Sequence, residues 1–241
     1  MHILKTHAYL FANLPLMALI AGIAIRARRE NLGATTLFSG VASLPASVLA
    51  LMHEGEYWRP VRLGGGPFGI EDLVFAFTVG AAAWLCAAWP FRKLAAPEHL
   101  VTGKAVTRLL IWGATASAAA FGLWRFGVDC MSATLAPAIL LLAALLARRV
   151  QLWPLAVTGP AVFVPLYVAV VRLQLAVWPD YLLQWGRGGP WAGMVLGIPA
   201  GEIAWAVGFA AVWPVAVASA TDMELRPARF LPLVTMEESG R

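Results

Sequence analysis

VLGIPAGEIAWAVGFAAVWPVAVAS, residues 195–219, decides the fold, because this run of 25 residues carries a single charge, Glu202. A helix rises about 1.5 Å per residue, so roughly 20 apolar residues cross the ~30 Å hydrocarbon core of a bilayer. Six more runs of this kind lie near residues 8–25, 33–52, 71–90, 107–124, 131–147 and 152–174. In lipid an open sheet leaves its backbone unsatisfied, and the alternation of a barrel strand is absent, so each run is predicted to be a helix. Pro15, Pro45, Pro160, Pro165 and Pro214 fall within runs and predict kinks. The composition, 60% apolar and 13% charged, agrees, since soluble domains carry about a quarter charged residues. The expected class is an all-α polytopic membrane protein with about seven transmembrane helices.

The net charge of +5 does not point to nucleic acid, because the 18 Lys and Arg sit in short clusters between apolar runs and form no basic face. They read as topology signals. The first run, followed by Arg26, Arg28 and Arg29, is retained as a helix and is not a signal peptide. Threading the runs back and forth puts 12 Lys and Arg on the face that carries this cluster. The other 6 are Lys5, Arg59, Arg62, Arg125, Arg172 and Arg187, with Arg172 at or inside the end of its run. That bias predicts a multi-pass protein of the cell membrane with its N-terminus outside and its C-terminus cytoplasmic. Residues 1–221 are then the transmembrane domain and 222–241 a short solvated tail. Cys86 and Cys130 provide neither a disulfide framework nor metal-ligand spacing.

An internal repeat relates residues 8–90 to 131–219, with 107–124 as a linking helix. Each unit passes from an apolar helix through a Trp-containing loop, Tyr57-Trp58-Arg59-Pro60 or Trp178-Pro179-Asp180-Tyr181, to an acid at the head of a helix. One odd helix between two triplets lets both enter from the same side, so the repeat is parallel.

The acids are Glu71 and Asp72 in the first unit and Glu202 in the second. A carboxylate at membrane depth costs at least ~2.5 kcal/mol. An acid in a first helical turn also complements the helix dipole, which is the plain structural alternative. Only one of the adjacent Glu71 and Asp72 can point fully inward. Below Glu202, at i+3, i+7 and i+11, stand Trp205, Phe209 and Trp213, and below Glu71 stands Phe75. A carboxyl above an aromatic stripe suits carbocation chemistry: the acid exchanges a proton with an alkene and the ring faces stabilise the cation. Helix packing and an interfacial aromatic belt explain the same stripe without chemistry.

Three other patterns lead nowhere. Gly64-Gly65-Gly66-Pro67-Phe68-Gly69 contains GxGxxG, but it precedes a membrane helix and no βαβ unit surrounds it. His2, His7, His53 and His99 lack metal-ligand spacing, although His53 with Glu54 and Glu56 makes a polar knot that reads as a gate or a wet turn. The last run has no lysine for a retinal Schiff base.

At the two acid motifs the chain resembles the membrane-integral, flavin-free lycopene cyclases, which repeat a Pro-x-Glu-Glu segment followed by aromatics in each half. Gly69-Ile70-Glu71-Asp72 with Phe75 and Phe77 resembles the first copy, and Pro199-Ala200-Gly201-Glu202 with Trp205 the second. Gly201 stands where one acid of the second pair is expected. The resemblance implies a proton-initiated isomerisation that closes a ring at the end of a linear carotenoid or related isoprenoid taken from the bilayer. It implies Glu202 as the acid-base residue with Asp72 and Glu71 as its partner, and no cofactor or metal. Trp205, Phe209, Phe75 and Trp58 would line the substrate site. The competing class is a non-enzymatic carotenoid or lipid binder, or a small-molecule carrier, on the same scaffold, which the missing acid at Gly201 favours.

Overall fold

The computed structural model describes residues 7–27, 32–91, 103–186 and 189–225. It is an all-α polytopic membrane protein, and among the described residues seven helical spans are long and apolar enough to cross a bilayer. Helix α1 is Ala8–Arg26 and α2 is Leu32–Ser43, which runs on as a 3-10 stretch, Leu44–Leu49, and one helical turn, Ala50–His53. The others are α3 Ile70–Ala88, α4 Gly103–Arg125, α5 Cys130–Arg148, α6 Trp153–Val177 and α7 Ala200–Ala220. Pro45 opens the 3-10 stretch of the second span, whereas Pro15, Pro160, Pro165 and Pro214 are accommodated inside continuous helices. Arg172 lies within α6.

The expected start of the last span at 195 is corrected. Met194–Val195 and Ile198–Pro199 form a small antiparallel hairpin, β1 and β2, turned by Leu196 at φ 52° and Gly197 at φ 73°. Two successive positive φ values are the geometry of a tight two-residue hairpin turn, and Pro199 then stands at the position just before α7.

Helices α3 and α7 are the most deeply buried spans and α4 the least. In each triplet the third helix packs on both others: α3 on α1 and α2, α7 on α5 and α6, with α4 against α5 and α7. Small residues permit this closeness. Ser39 Oγ donates to the Gly80 carbonyl at 2.8 Å and Ser43 Oγ to the Ala76 carbonyl at 2.7 Å, joining α2 to α3. Thr158 Oγ1 donates to the Ala87 carbonyl at 3.1 Å, joining α6 to α3, and Gly159 abuts the Ala210 backbone of α7.

The 2–3 and 6–7 connections meet at the end of the bundle where α3 and α7 begin. Trp58 and Trp185 form an antiparallel β-bridge. Arg59 N donates to the Gln184 carbonyl at 2.7 Å and Gly186 N to the Tyr57 carbonyl at 2.6 Å. The residue opposite Trp58 is therefore Trp185.

At the opposite end α7 closes with the Met223 amide donating to the Ala218 carbonyl and the Asp222 amide to the Ser219 carbonyl, with Asp222 at φ 51°. This is a Schellman ending with aspartate where glycine is usual. Arg149 donates to the carbonyls of Ala218, Ser219 and Met223, and Arg108 pairs with Asp222 at 2.7 Å. Met223 is buried, so the start of the segment expected to be a solvated tail is anchored; residues 226–241 lie outside the described residues.

Candidate functional site: an acid-topped aromatic cavity

Between the triplets lies a cavity of about 250 Å³. It runs from Asp72 and Glu202, at the heads of α3 and α7, down to Trp213 and Ala216 on α7 and Leu109 and Trp112 on α4. Of the residues singled out from sequence, Glu202, Asp72, Trp205, Phe209, Phe75 and Trp58 line it. Glu71 does not: it is buried, its Oε1 accepts from the Leu63 amide at 2.6 Å, and Oε2 lies beside Gly69. The ~100° step between neighbouring helical residues turns Asp72 toward the cavity and Glu71 toward the loop.

The two cavity acids are held in opposite ways. Asp72 Oδ2 accepts from Arg62 Nε at 2.7 Å and from the Gly69 amide at 2.8 Å. Its Oδ1 accepts from Arg62 Nη2 at 3.1 Å and from the Tyr9 hydroxyl at 3.3 Å. Arg62 is itself buried and also binds Glu54 at 2.6 Å. Burial works against its charge, but the hydrogen bonds and charges of Asp72 and Glu54 outweigh this and hold its pKa above the ordinary value. The Asp72 carboxylate is thus neutralised by a two-pronged guanidinium contact.

Glu202 has no such cation among the described residues. Its Oε2 accepts from the Tyr167 hydroxyl at 2.6 Å and its Oε1 from Trp185 Nε1 at 2.7 Å, both neutral donors. The side chain is buried. Where the sequence lacks the other acid of its pair, Tyr57 fills the space: a Cβ on Gly201 would stand 2.5 Å from the Tyr57 hydroxyl oxygen. Burial pushes the phenols of Tyr57 and Tyr181 above their ordinary pKa, so both are neutral.

Below Glu202 the rings stack in file. Trp205 and Phe209 have centroids 5.1 Å apart and planes 11° apart, and Phe209 and Trp213 follow at 5.8 Å and 9°. Phe75 of α3 closes on Trp205 at 5.5 Å, and Trp58 stacks on Trp185 at 6.3 Å. Trp213 Nε1 donates to Ser39 Oγ at 2.8 Å, which ties the foot of the file to α2.

No protein-family model, curated protein or solved structure matches the chain.

Sequence reasoning missed Arg62, Tyr9, Tyr57, Tyr167 and Trp185. One signal was available, because the chain has only four tyrosines and all four line this cavity. Glu56, placed in the polar knot with His53, instead accepts from Trp124 Nε1 at 2.8 Å and the Cys130 amide at 3.0 Å, joining the loop to α4 and α5. His53 lines the cavity. Among the described residues no three His, Cys, Asp or Glu side chains stand close enough to hold a metal ion; His2 and His99 lie outside the described residues.

Proposed function

We propose that this protein is a membrane-embedded acid-base catalyst of lycopene-cyclase type, closing a ring at the end of a linear carotenoid or related isoprenoid taken from the bilayer. One observation carries the reading: a buried carboxyl, Glu202, with neutral hydrogen-bond donors only, at the head of a stacked aromatic file in an apolar cavity. A carboxyl with no paired cation is free to exchange a proton with a substrate.

In this scheme the Glu202 carboxylic acid protonates the terminal alkene. The resulting cation is stabilised by the faces of Trp205 and Phe209 while it closes on the next double bond, and the Glu202 carboxylate then recovers a proton from the ring. Substrate and product are isomers, so no redox partner is needed. Asp72, clamped by Arg62, is the cation-paired acid of the cavity. Glu71 braces the loop ahead of α3.

The orientation proposed with it, N-terminus outside and C-terminus cytoplasmic, puts the cavity acids near the outer leaflet. It rests on the distribution of Lys and Arg between the two faces.

A second reading, a carotenoid or lipid binder without turnover, is favoured by the neutralisation of Asp72 and by Tyr57 standing at Gly201. The deciding experiment is expression in a lycopene-accumulating host with chromatography of the pigments. An isomer of lycopene with a shortened chromophore supports the catalyst, and lycopene that co-purifies unchanged supports the binder.

A further inference from the structure

At the acid end of the cavity three lining residues present polar atoms that a hydrocarbon cannot satisfy. His53 Nε2 and Trp58 Nε1 are each buried without a partner among the described residues, and the Tyr57 hydroxyl, set beside the Glu202 backbone amide, has no acceptor for its hydrogen. His53 and Tyr57 are themselves more than nine-tenths buried, at 9% and 6% exposure. Their rings lie edge to face with centroids 6.3 Å apart. Tyr57 and Trp58 adjoin the acid. The Tyr57 hydroxyl sits over Gly201, the residue before Glu202, while Trp58 stacks on the Trp185 ring whose indole N–H binds the Glu202 carboxyl.

The tautomer of His53 is fixed by its neighbour. Nδ1 lies 2.9 Å from the Leu49 carbonyl oxygen, which can only accept, so Nδ1 carries the hydrogen. Nε2 of the neutral ring therefore carries a bare lone pair. A buried polar atom left unsatisfied costs free energy, and a single water with two to four polar partners is the smallest molecule that relieves this site.

We propose that the cavity also hydrates the terminal alkene of its isoprenoid substrate, with His53 as general base and Tyr57 as the group that holds the attacking water. This rests on Glu202 being the proton donor proposed above. The proton of Glu202 goes to one carbon of the terminal double bond, leaving the cation on the more substituted carbon. The water oxygen forms its C–O bond there, and His53 Nε2 takes the proton that the water loses. The imidazolium proton returns to the Glu202 carboxylate by way of the Tyr57 hydroxyl. Alkene plus water gives a tertiary alcohol, with no electron transferred. The same cation thus has two exits, ring closure and capture by water, and the His53–Tyr57 pair sets the share that leaves by the second.

The test is to incubate the full-length protein, reconstituted in lipid, with lycopene in water enriched in oxygen-18, and to resolve products by mass. The expected product is lycopene plus one water, bearing the heavy oxygen. His53→Leu should lower that alcohol by at least ~10²-fold, the scale of a lost general base, and raise the share of ring isomer. Tyr57→Phe, which keeps the ring over Gly201, should shift the ratio the same way. Retention of bound lycopene by both variants excludes a folding defect as the cause. Ring isomer alone from the wild type, in a yield the two variants do not alter, overturns hydration and leaves the cyclase reading standing. Alcohol alone upholds hydration and removes ring closure, and the absence of both products overturns both.

Discussion

Arg62 grips Asp72 through two nitrogens, Nε at 2.7 Å and Nη2 at 3.1 Å, with both side chains withdrawn from solvent. The contact converts what reads in sequence as one of two matching cavity acids into half of an ion pair. Its consequence is asymmetry: of the two cavity acids, Glu202 alone has no cation beside it among the described residues.

That pair should behave as a buried salt bridge. Arg62→Met leaves the Asp72 charge unpaired and should cost about 3–5 kcal/mol, whereas replacing both partners by apolar residues of similar volume, Arg62→Met with Asp72→Leu, should recover most of the loss. Thermal unfolding of the three variants in one detergent measures this. Additive losses in the double variant would mean that the two residues stabilise the fold independently.

Tyr57 and Gly201 should also be coupled, by volume. Gly201→Ala drives a methyl group into the Tyr57 ring and hydroxyl and should cost about 1–3 kcal/mol, the usual penalty for overpacking. Tyr57→Ala in the same chain should relieve the clash, while Tyr57→Phe should not, because ring carbons as well as the hydroxyl stand in the way. Equal stability of Gly201→Ala and wild type would show that Tyr57 moves aside freely.

The ring beneath Glu202 separates the catalyst from the binder. Trp205→Leu keeps apolar volume but removes the cation-facing surface, so turnover should fall five- to thirty-fold, or about 1–2 kcal/mol of barrier. A binder would instead release its pigment more readily from this variant, with no turnover to lose. Parallel measurement of product rate and retained pigment distinguishes the two.

Orientation has its own test. A reporter fused after Arg241 should be cytoplasmic, and one inserted near Gly65 should be external. Exchange of the two signals would place the cavity acids at the inner leaflet.

The sequence made the spans legible because hydropathy and length are local properties, and it marked Asp72, Glu202 and the Trp205, Phe209, Trp213 file because each lies on one helix. What it hid was contributed from elsewhere in the chain. Arg62 looks like any loop cation until the 2–3 connection folds it onto Asp72. Tyr167 and Trp185 reach Glu202 from α6 and the 6–7 connection, and neither spacing nor period announces a contact between separate elements. The start of the last span was misread for a different reason. Val195, Leu196 and Ile198 are as apolar as the helix that follows, so hydropathy runs through the hairpin, and only the two positive φ values at Leu196 and Gly197 break the chain direction.

The central claim is that Glu202 gives its proton to the substrate. Its most direct test is the turnover of lycopene by purified wild type and Glu202→Gln in deuterated water, a change that keeps the size of the side chain and its hydrogen bonding to Trp185 and Tyr167. The account predicts deuterium in the wild-type product and a rate at least ~10²-fold lower for the variant, which should still insert and retain the polyene. Equal rates in the two proteins, or a wild-type product free of deuterium, would contradict it.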